Sequence, residues 1–272
     1  MITSYLLKEL APPIVSSLRW YSFKYGWKGA YKSFQEAQDK CKGYDEDHIL
    51  NRIRETTRQV KNKEIAYERD GIAYDEVQMN FPMLKSILYV ASKNNNELTV
   101  IDFGGSLGTA YYQNYPYLKH LKKLNWCIIE QPKYVEAGKA EFENEHVKFY
   151  DSIADCLAEH TPDLFIICSA LQYMEQPYEL LEEVKKIRAP YLLLDYVGYN
   201  DRDTDRITVQ NVPPVFYGIE ASYPCHFFSK TKIDIALRDV YTKQYEFISA
   251  HEKYYIQLKP FRYEGSFYEL RH

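Results

Sequence analysis

The chain lacks several things that would assign it to a class at once. Its five cysteines in 272 residues, Cys41, Cys127, Cys156, Cys168 and Cys225, are odd in number and never form a C-x-x-C pair. That pattern argues against a disulfide framework and against a zinc site. No signal-peptide pattern and no run of 18 apolar residues occurs, so no integral membrane segment is expected and cytoplasmic localisation is predicted. The stretch Tyr5–Leu10 reads as a short amphipathic helix stopped by Pro12-Pro13, with a peripheral membrane contact there left open. A basic excess is missing too: 34 Lys and Arg face 38 Asp and Glu, a formal charge of −4. Nothing in that balance recommends nucleic acid as a partner. Repeats and low-complexity tracts are absent. Glycine numbers only 11, yet Gly104, Gly105 and Gly108 crowd into one turn.

That turn organises the rest. Leu98-Thr-Val-Ile101 reads as a buried strand without charge, closed by Asp102 and followed by Phe103-Gly-Gly-Ser-Leu-Gly108. The glycines allow a sharp turn and a close backbone approach to a ligand, and a helix starting near Thr109 would aim its amides there. The dinucleotide fingerprint G-x-G-x-x-G fails, because the second and third glycines would fall on Ser106 and Thr109. A phosphate-binding P-loop fails for want of Gly-Lys-Ser/Thr. What remains, Asp-x-Gly-x-Ser-x-Gly, resembles the first motif of class I S-adenosylmethionine (SAM)-dependent methyltransferases, with Ser106 at the middle glycine. A glycine-rich turn that binds nothing is the plainer alternative.

Along the chain, residues 1–92 are predicted to form an N-terminal helical cap or substrate region, and 93–272 a cofactor-binding domain to which 200–272 adds acceptor contacts. Within the cap, Ser33 and Glu36 suit a capping box. Gly43-Tyr44-Asp45 suits a turn, and Ile49, Leu50, Ile53 and Val60 mark an amphipathic helix to about Lys61. Phe81 to Ala91 repeats at the helical period. Strands are then expected at Trp126–Ile129, Val147–Tyr150, Leu164–Cys168 and Tyr191–Leu194, with a helix over Glu179–Ile187, the alternation of a parallel sheet. Val212-Pro-Pro214 and Tyr223-Pro-Cys-His226 read as turn-rich, Ser229 as the cap of a helix from Lys230, and Tyr245–Ser249 with Phe267–Leu270 as a closing antiparallel hairpin. The fold expected is α/β: a doubly wound, mostly parallel, seven-stranded Rossmann-like sheet of the methyltransferase kind.

Polar residues gather where these strands end, where open α/β sheets bind ligands. Glu130 could accept both hydroxyls of a ribose, with Gln131 beside it. Asp151 and Ser152 could meet an adenine, and Ser169 and Gln172 close the fourth strand. Part of the 27 tyrosines could line a substrate cleft.

Taken in order, Gly29-x-Tyr31, Gly43-Tyr44-Asp45, Tyr67-Glu-Arg-Asp70, Asp102–Gly108, Glu130-Gln131, Leu171-Gln-Tyr173, Val212-Pro-Pro214 and Ser222-Tyr-Pro-Cys225 carry a resemblance to a family. It is a family of bacterial class I SAM-dependent methyltransferases found among surface-polysaccharide (capsule and lipopolysaccharide) biosynthesis enzymes. The resemblance spans nearly the whole chain. It implies SAM on the Asp102 and Glu130 strand ends, S-adenosylhomocysteine as product, and O-methylation of a sugar or phosphate-bearing precursor. Relatives more often carry Trp at the position of His226. Sites expected on this reading are Asp102, Gly104, Gly105, Ser106, Gly108, Glu130, Gln131, Asp151, Ser152, Ser169 and Gln172 for cofactor, and Tyr67, Arg69, Tyr173, Arg202 and Tyr223 for acceptor. His226, Asp195, Asp70 and His251 are the candidate bases. No metal is signalled. The expected partner is a small-molecule or saccharide acceptor, and a homodimer stays open. A nucleotide-sugar oxidoreductase or epimerase using NAD, and a SAM-fold binding module without catalysis, are the rival readings.

Overall fold

The computed structural model describes residues 25–43, 46–250, 253–256 and 259–271. The Tyr5–Leu10 helix, Tyr44, Asp45 and His251 lie outside the described residues.

In chain order, β1 (Gly26–Tyr31) leads into α1 (Phe34–Gln38) and α2 (Glu46–Lys61). A small hairpin follows, β2 (Tyr67–Arg69) and β3 (Ile72–Tyr74), and then α3 (Phe81–Lys93). The alternating part runs β4 (Glu97–Phe103), α4 (Thr109–Leu118), β5 (Lys123–Ile129), α5 (Pro132–Glu141), β6 (Val147–Tyr150), α6 (Ile153–Glu159) and β7 (Leu164–Cys168). A 3₁₀ turn at Leu171–Tyr173 precedes α7 (Pro177–Ile187) and β8 (Tyr191–Asn200). The last part holds β9 (Arg206–Val212), α8 (Pro214–Tyr217), β10 (Ala221–Ser229), α9 (Lys230–Leu237) and β11 (Tyr241–Ile248). Two short strands, β12 (Tyr254–Ile256) and β13 (Lys259–Phe261), come before β14 (Tyr263–Leu270).

Seven strands lie in the order β6-β5-β4-β7-β8-β14-β11. All run parallel except β14, which is antiparallel to both β8 and β11. This is the mostly parallel α/β sheet with a C-terminal antiparallel hairpin that the alternating pattern predicts. Its strands are apolar because helices cover both faces. On one face Ile87, Leu98, Tyr111, Leu118, Trp126, Val135 and Phe142 pack together, and on the other Ile101, Phe165, Leu181, Val184, Leu192 and Leu194. The chain steps from β4 outward to β5 and β6, then returns to β7 on the other side of β4. The switch point therefore lies at the carboxyl end of β4.

The cap is less purely helical than its sequence suggests. Helices α1, α2 and α3 are there: Ser33 accepts from the Glu36 amide at 3.1 Å, and Ile49, Leu50 and Ile53 of α2 join the core. But β1 pairs antiparallel with β9, which pairs with β10, and β12 and β13 extend that row. Trp27 sits at the centre of this accessory layer, edge-on to Phe227, Tyr254, Phe261 and Tyr263. The Tyr223–His226 segment, read as a turn, is the middle of β10, and Val212 ends β9. Pro224 misled the reading. It is tolerated because β10 pairs at that point with β9 alone, meeting β8 only at Phe228 and Ser229.

Candidate active site at the strand ends

The glycine turn folds tightly over the end of β4. Gly104, Ser106 and Gly108 have φ of 71°, 54° and 100°, so the serine adopts the left-handed backbone that its glycine counterpart would adopt freely. A Cβ on Gly105 would stand 2.7 Å from the Asp102 carboxyl carbon, so the turn lies directly on that side chain. Asp102, 1% exposed, accepts from the Trp126 indole at 3.0 Å; desolvation pushes its carboxyl up to about 7 against that bond. Glu130, ending β5, accepts from the Ser106 amide at 3.0 Å and from the Gln131 amide at 2.8 Å. One carboxylate thus ties two strand-end loops together. Burial raises its pKa and the two amides pull it back down.

The β2–β3 hairpin lies against this turn. Tyr67 is buried, and Arg69 lays its guanidinium 3.7 Å above the ring of Tyr196. Glu68, 2% exposed, points the other way, as alternation along a strand requires, and accepts from the hydroxyl of Thr109 at the start of α4. Asp70 turns the hairpin at φ 52°. Its charge is felt by the hydroxyls of Tyr173, Tyr217 and Tyr223. Those rings form one aromatic wall: Tyr173 meets Tyr223 edge-on at 5.2 Å and bonds Gln210 at 3.0 Å.

Asp195, at the end of β8's parallel pairing with β7, is wholly buried and fully engaged. It accepts from the Asn80 amide, the Ser249 hydroxyl and the Tyr196 amide, so it joins the start of α3, the end of β11 and β8. Burial raises its pKa and these donors oppose the rise. Neither Asn80 nor Ser249 was singled out in the sequence. Asn80 also caps α3 through the Met83 amide, and an Asn before Phe-Pro was the signal available.

The remaining expected residues spread more widely. Ser152 caps α6, accepting from the Asp155 amide at 3.1 Å, and Asp151 is half exposed with Lys139 3.5 Å away. Ser169 stands at φ 58° after β7, its amide on the Asp195 carbonyl. Gln172 is fully buried; its amide nitrogen bonds the Tyr196 carbonyl and its oxygen has no partner. Arg202 lies in an exposed loop beyond the far end of β8. His226, 7% exposed, is stacked between Phe34 and Phe228 and bonded to the Met174 backbone, with Nε2 unpartnered. Desolvation lowers its pKa, which keeps it neutral. Thus Glu130, Asp102, the glycine turn, Ser169 and Gln172 come together with the Tyr67–Asp70 hairpin. Arg202 stays apart, and His226 sits on the face of β10 opposite Cys225 and Phe227. Among the described residues no three His, Cys, Asp or Glu side chains are grouped to hold a metal, and no helix is long and apolar enough to cross a membrane.

No family model and no curated protein matches the chain. Solved structures do share its outline. The N-terminal domain of EvdMO1, crystallised with S-adenosylhomocysteine and D-fucose, aligns over 84% of this chain and 100% of its own at 15% identity and a TM-score of 0.47. The SAM-bound amino pentose methyltransferase CalS10 of Micromonospora echinaspora aligns over 70% of this chain and 90% of its own, at 8% identity and a TM-score of 0.48. The 1,6-didemethyltoxoflavin N1-methyltransferase of Burkholderia thailandensis, with S-adenosylhomocysteine bound, covers 91% and 94% at 10% identity and a TM-score of 0.46. The last two are methyltransferases of different substrates, and all three were crystallised with SAM or S-adenosylhomocysteine.

Proposed function

We propose that this chain is a SAM-dependent methyltransferase that O-methylates a sugar or a phosphate-bearing precursor of a bacterial surface polysaccharide. The observation that carries the first half is the Glu130 carboxylate, bound by the Ser106 and Gln131 amides at the topological switch point. Two amides fix its orientation and leave lone pairs for a diol, as a ribose presents. Asp102 beneath the turn, Gly105 pressed on it, and Gln172 with an unused carbonyl oxygen complete a wall rich in acceptors. That wall fits a nucleoside carrying positive charge. SAM, when bound, supplies an electrophilic methyl on a sulfonium.

Methyl transfer is an in-line displacement, so the protein's part is alignment and exclusion of water. Alignment alone is worth on the order of 7–11 kcal/mol. The β2–β3 hairpin covers the turn, and the wall of Tyr173, Tyr217 and Tyr223 offers flat apolar faces and hydroxyls to a saccharide ring. Asp70, beside those hydroxyls and half exposed, is best placed of the candidate bases to take a proton from an acceptor hydroxyl, a contribution of ~10²–10⁴-fold. Asp195 already serves three donors, so its role on this reading is to hold the floor of the site. The polysaccharide acceptor rests on the sequence resemblance alone.

The test is binding. Thermal melting with SAM, S-adenosylhomocysteine and NAD(P) should show stabilisation by the two sulfur compounds only. At 100 times Kd the gain is about 2.7 kcal/mol. No shift with either at millimolar concentration overturns the reading, and a shift with NAD(P) alone favours an oxidoreductase.

A further inference from the structure

Glu68 has a burial that its surroundings do not repay. The carboxylate is 2% exposed and has two hydrogen bonds, from the Thr109 hydroxyl and, at 3.4 Å, from the Gly71 amide. No Lys, Arg or His among the described residues lies within ion-pair distance of it. Its neighbour Arg69 is turned to the opposite side, onto Tyr196. A carboxylate taken from water without a cation is costly, and desolvation accordingly pushes this one up to about 7.

The same deficit runs round the glycine turn. Asp102 below and Glu130 in front have no ion-pair partner among the described residues either; their donors are an indole and two backbone amides. Gln172 adds a carbonyl oxygen that is wholly buried and unpartnered. It belongs to the loop whose Ala170 methyl would lie 2.6 Å from a Cβ on Gly104, so that loop touches the turn. The wall is rich in acceptors, and the one nearby cation, Arg69, acts on Glu68 only through space and forms no ion pair with it. What complements such a wall is a ligand bearing N–H donors and positive charge.

We infer that Glu68, brought in by the β2–β3 hairpin, binds the ammonium of the cofactor's amino-acid moiety, so that the cap itself reads the charged end of the ligand. This rests on the methyltransferase reading of the same site. An ammonium offers three donors and one positive charge. Glu68 keeps a second lone pair on each oxygen beyond those given to Thr109 and Gly71. The placement is specific as well. Thr109 directly follows Gly108, so the carboxylate stands over the very turn whose backbone would approach the cofactor.

Calorimetric titration of the wild-type chain and of Glu68→Gln with SAM, S-adenosylhomocysteine and 5′-methylthioadenosine separates the possibilities. The last ligand keeps the nucleoside and sulfur and lacks the amino-acid moiety. Expected is a loss of tenfold or more for SAM and S-adenosylhomocysteine, and a change under twofold for 5′-methylthioadenosine. Equal losses for all three would mean that Glu68 only supports the fold, and undiminished affinity for all three would mean that it touches no ligand; either overturns the inference. A wild-type protein that binds none of the three overturns the methyltransferase reading, and this inference with it. Should the variant fail to fold, the wild type alone decides. The deaminated thioether 4-(adenosylthio)butanoate should bind at least tenfold more weakly than S-adenosylhomocysteine, and equal affinity refutes the role given to Glu68.

Discussion

At Ser106 the backbone stands at φ 54°, a conformation costing a residue with a Cβ about 1–2 kcal/mol, whereas Gly105 beside it lies against a buried carboxylate. The two positions should therefore respond differently to exchange. Ser106→Gly relieves the strain but frees the unfolded chain by ~0.4–1 kcal/mol, so its stability should stay within about 1 kcal/mol of wild type. Gly105→Ala drives a methyl to 2.7 Å from Asp102, which is itself held by Trp126, and should destabilise by ~1–3 kcal/mol. Urea unfolding reads both, and a Gly105→Ala protein as stable as wild type would refute the close approach. Legibility differed from residue to residue here. Asp102, the glycines and Glu130 announce themselves by lying at strand ends. Glu68 did not, because its meaning depends on strand alternation in a segment whose sequence reads as a helical preamble. Asn80 and Ser249 escaped for a different reason: they matter only through Asp195, from which both are remote in sequence.

The parallel strands were legible as elements because each has a short, mainly apolar core whose pattern needs no distant partner to be seen. Strands β9 and β10 were not, since prolines and a charged loop dominate their local sequence and only pairing makes them strands. The partner that completes them, β1, comes from the other end of the chain. Trp27 on β1 anchors this layer with four edge-on ring contacts. Trp27→Ala should cost ~3–5 kcal/mol in equilibrium denaturation. The accessory core also receives Tyr173 and Tyr196, so the aromatic wall of Tyr173 and Tyr223 should loosen with it. A loss below 1 kcal/mol would show that the accessory layer contributes little to the fold.

For the molecule as a whole, the buried carboxyls set a pH dependence opposite to that of an ordinary surface. Glu68 and Asp102 titrate at about 7 when folded, above the unfolded carboxyl range near 4, so the native state holds more protons between those values. Where the folded state binds more protons, stability falls as pH rises. His226, lowered on folding, acts in the reverse sense but only below its unfolded value near 6.5. From about pH 6.5 to 7 the carboxyls therefore dominate, and their effect levels off as pH passes their folded values. The melting temperature of the free protein should fall across that window, and Glu68→Gln should reduce the fall. A flat or rising profile in that window would refute the uncompensated burial of Glu68 and Asp102.

Strand β8 belongs to both layers, and it changes phase between them. Leu192 and Leu194 face one core, yet so do Val197 and Tyr199, because Tyr196 at φ 51° opposite the Gly265 bulge uses up one residue of the alternation. The strand thus carries a built-in frameshift of side chains. Everything distal to Asp195 is in register with the accessory layer only because of that extra residue. A one-residue deletion there would keep the side-chain phase of β8 before Asp195 and invert it beyond. The segment from Asp195 to Val197 therefore tolerates no change of length without moving every side chain beyond it to the opposite face.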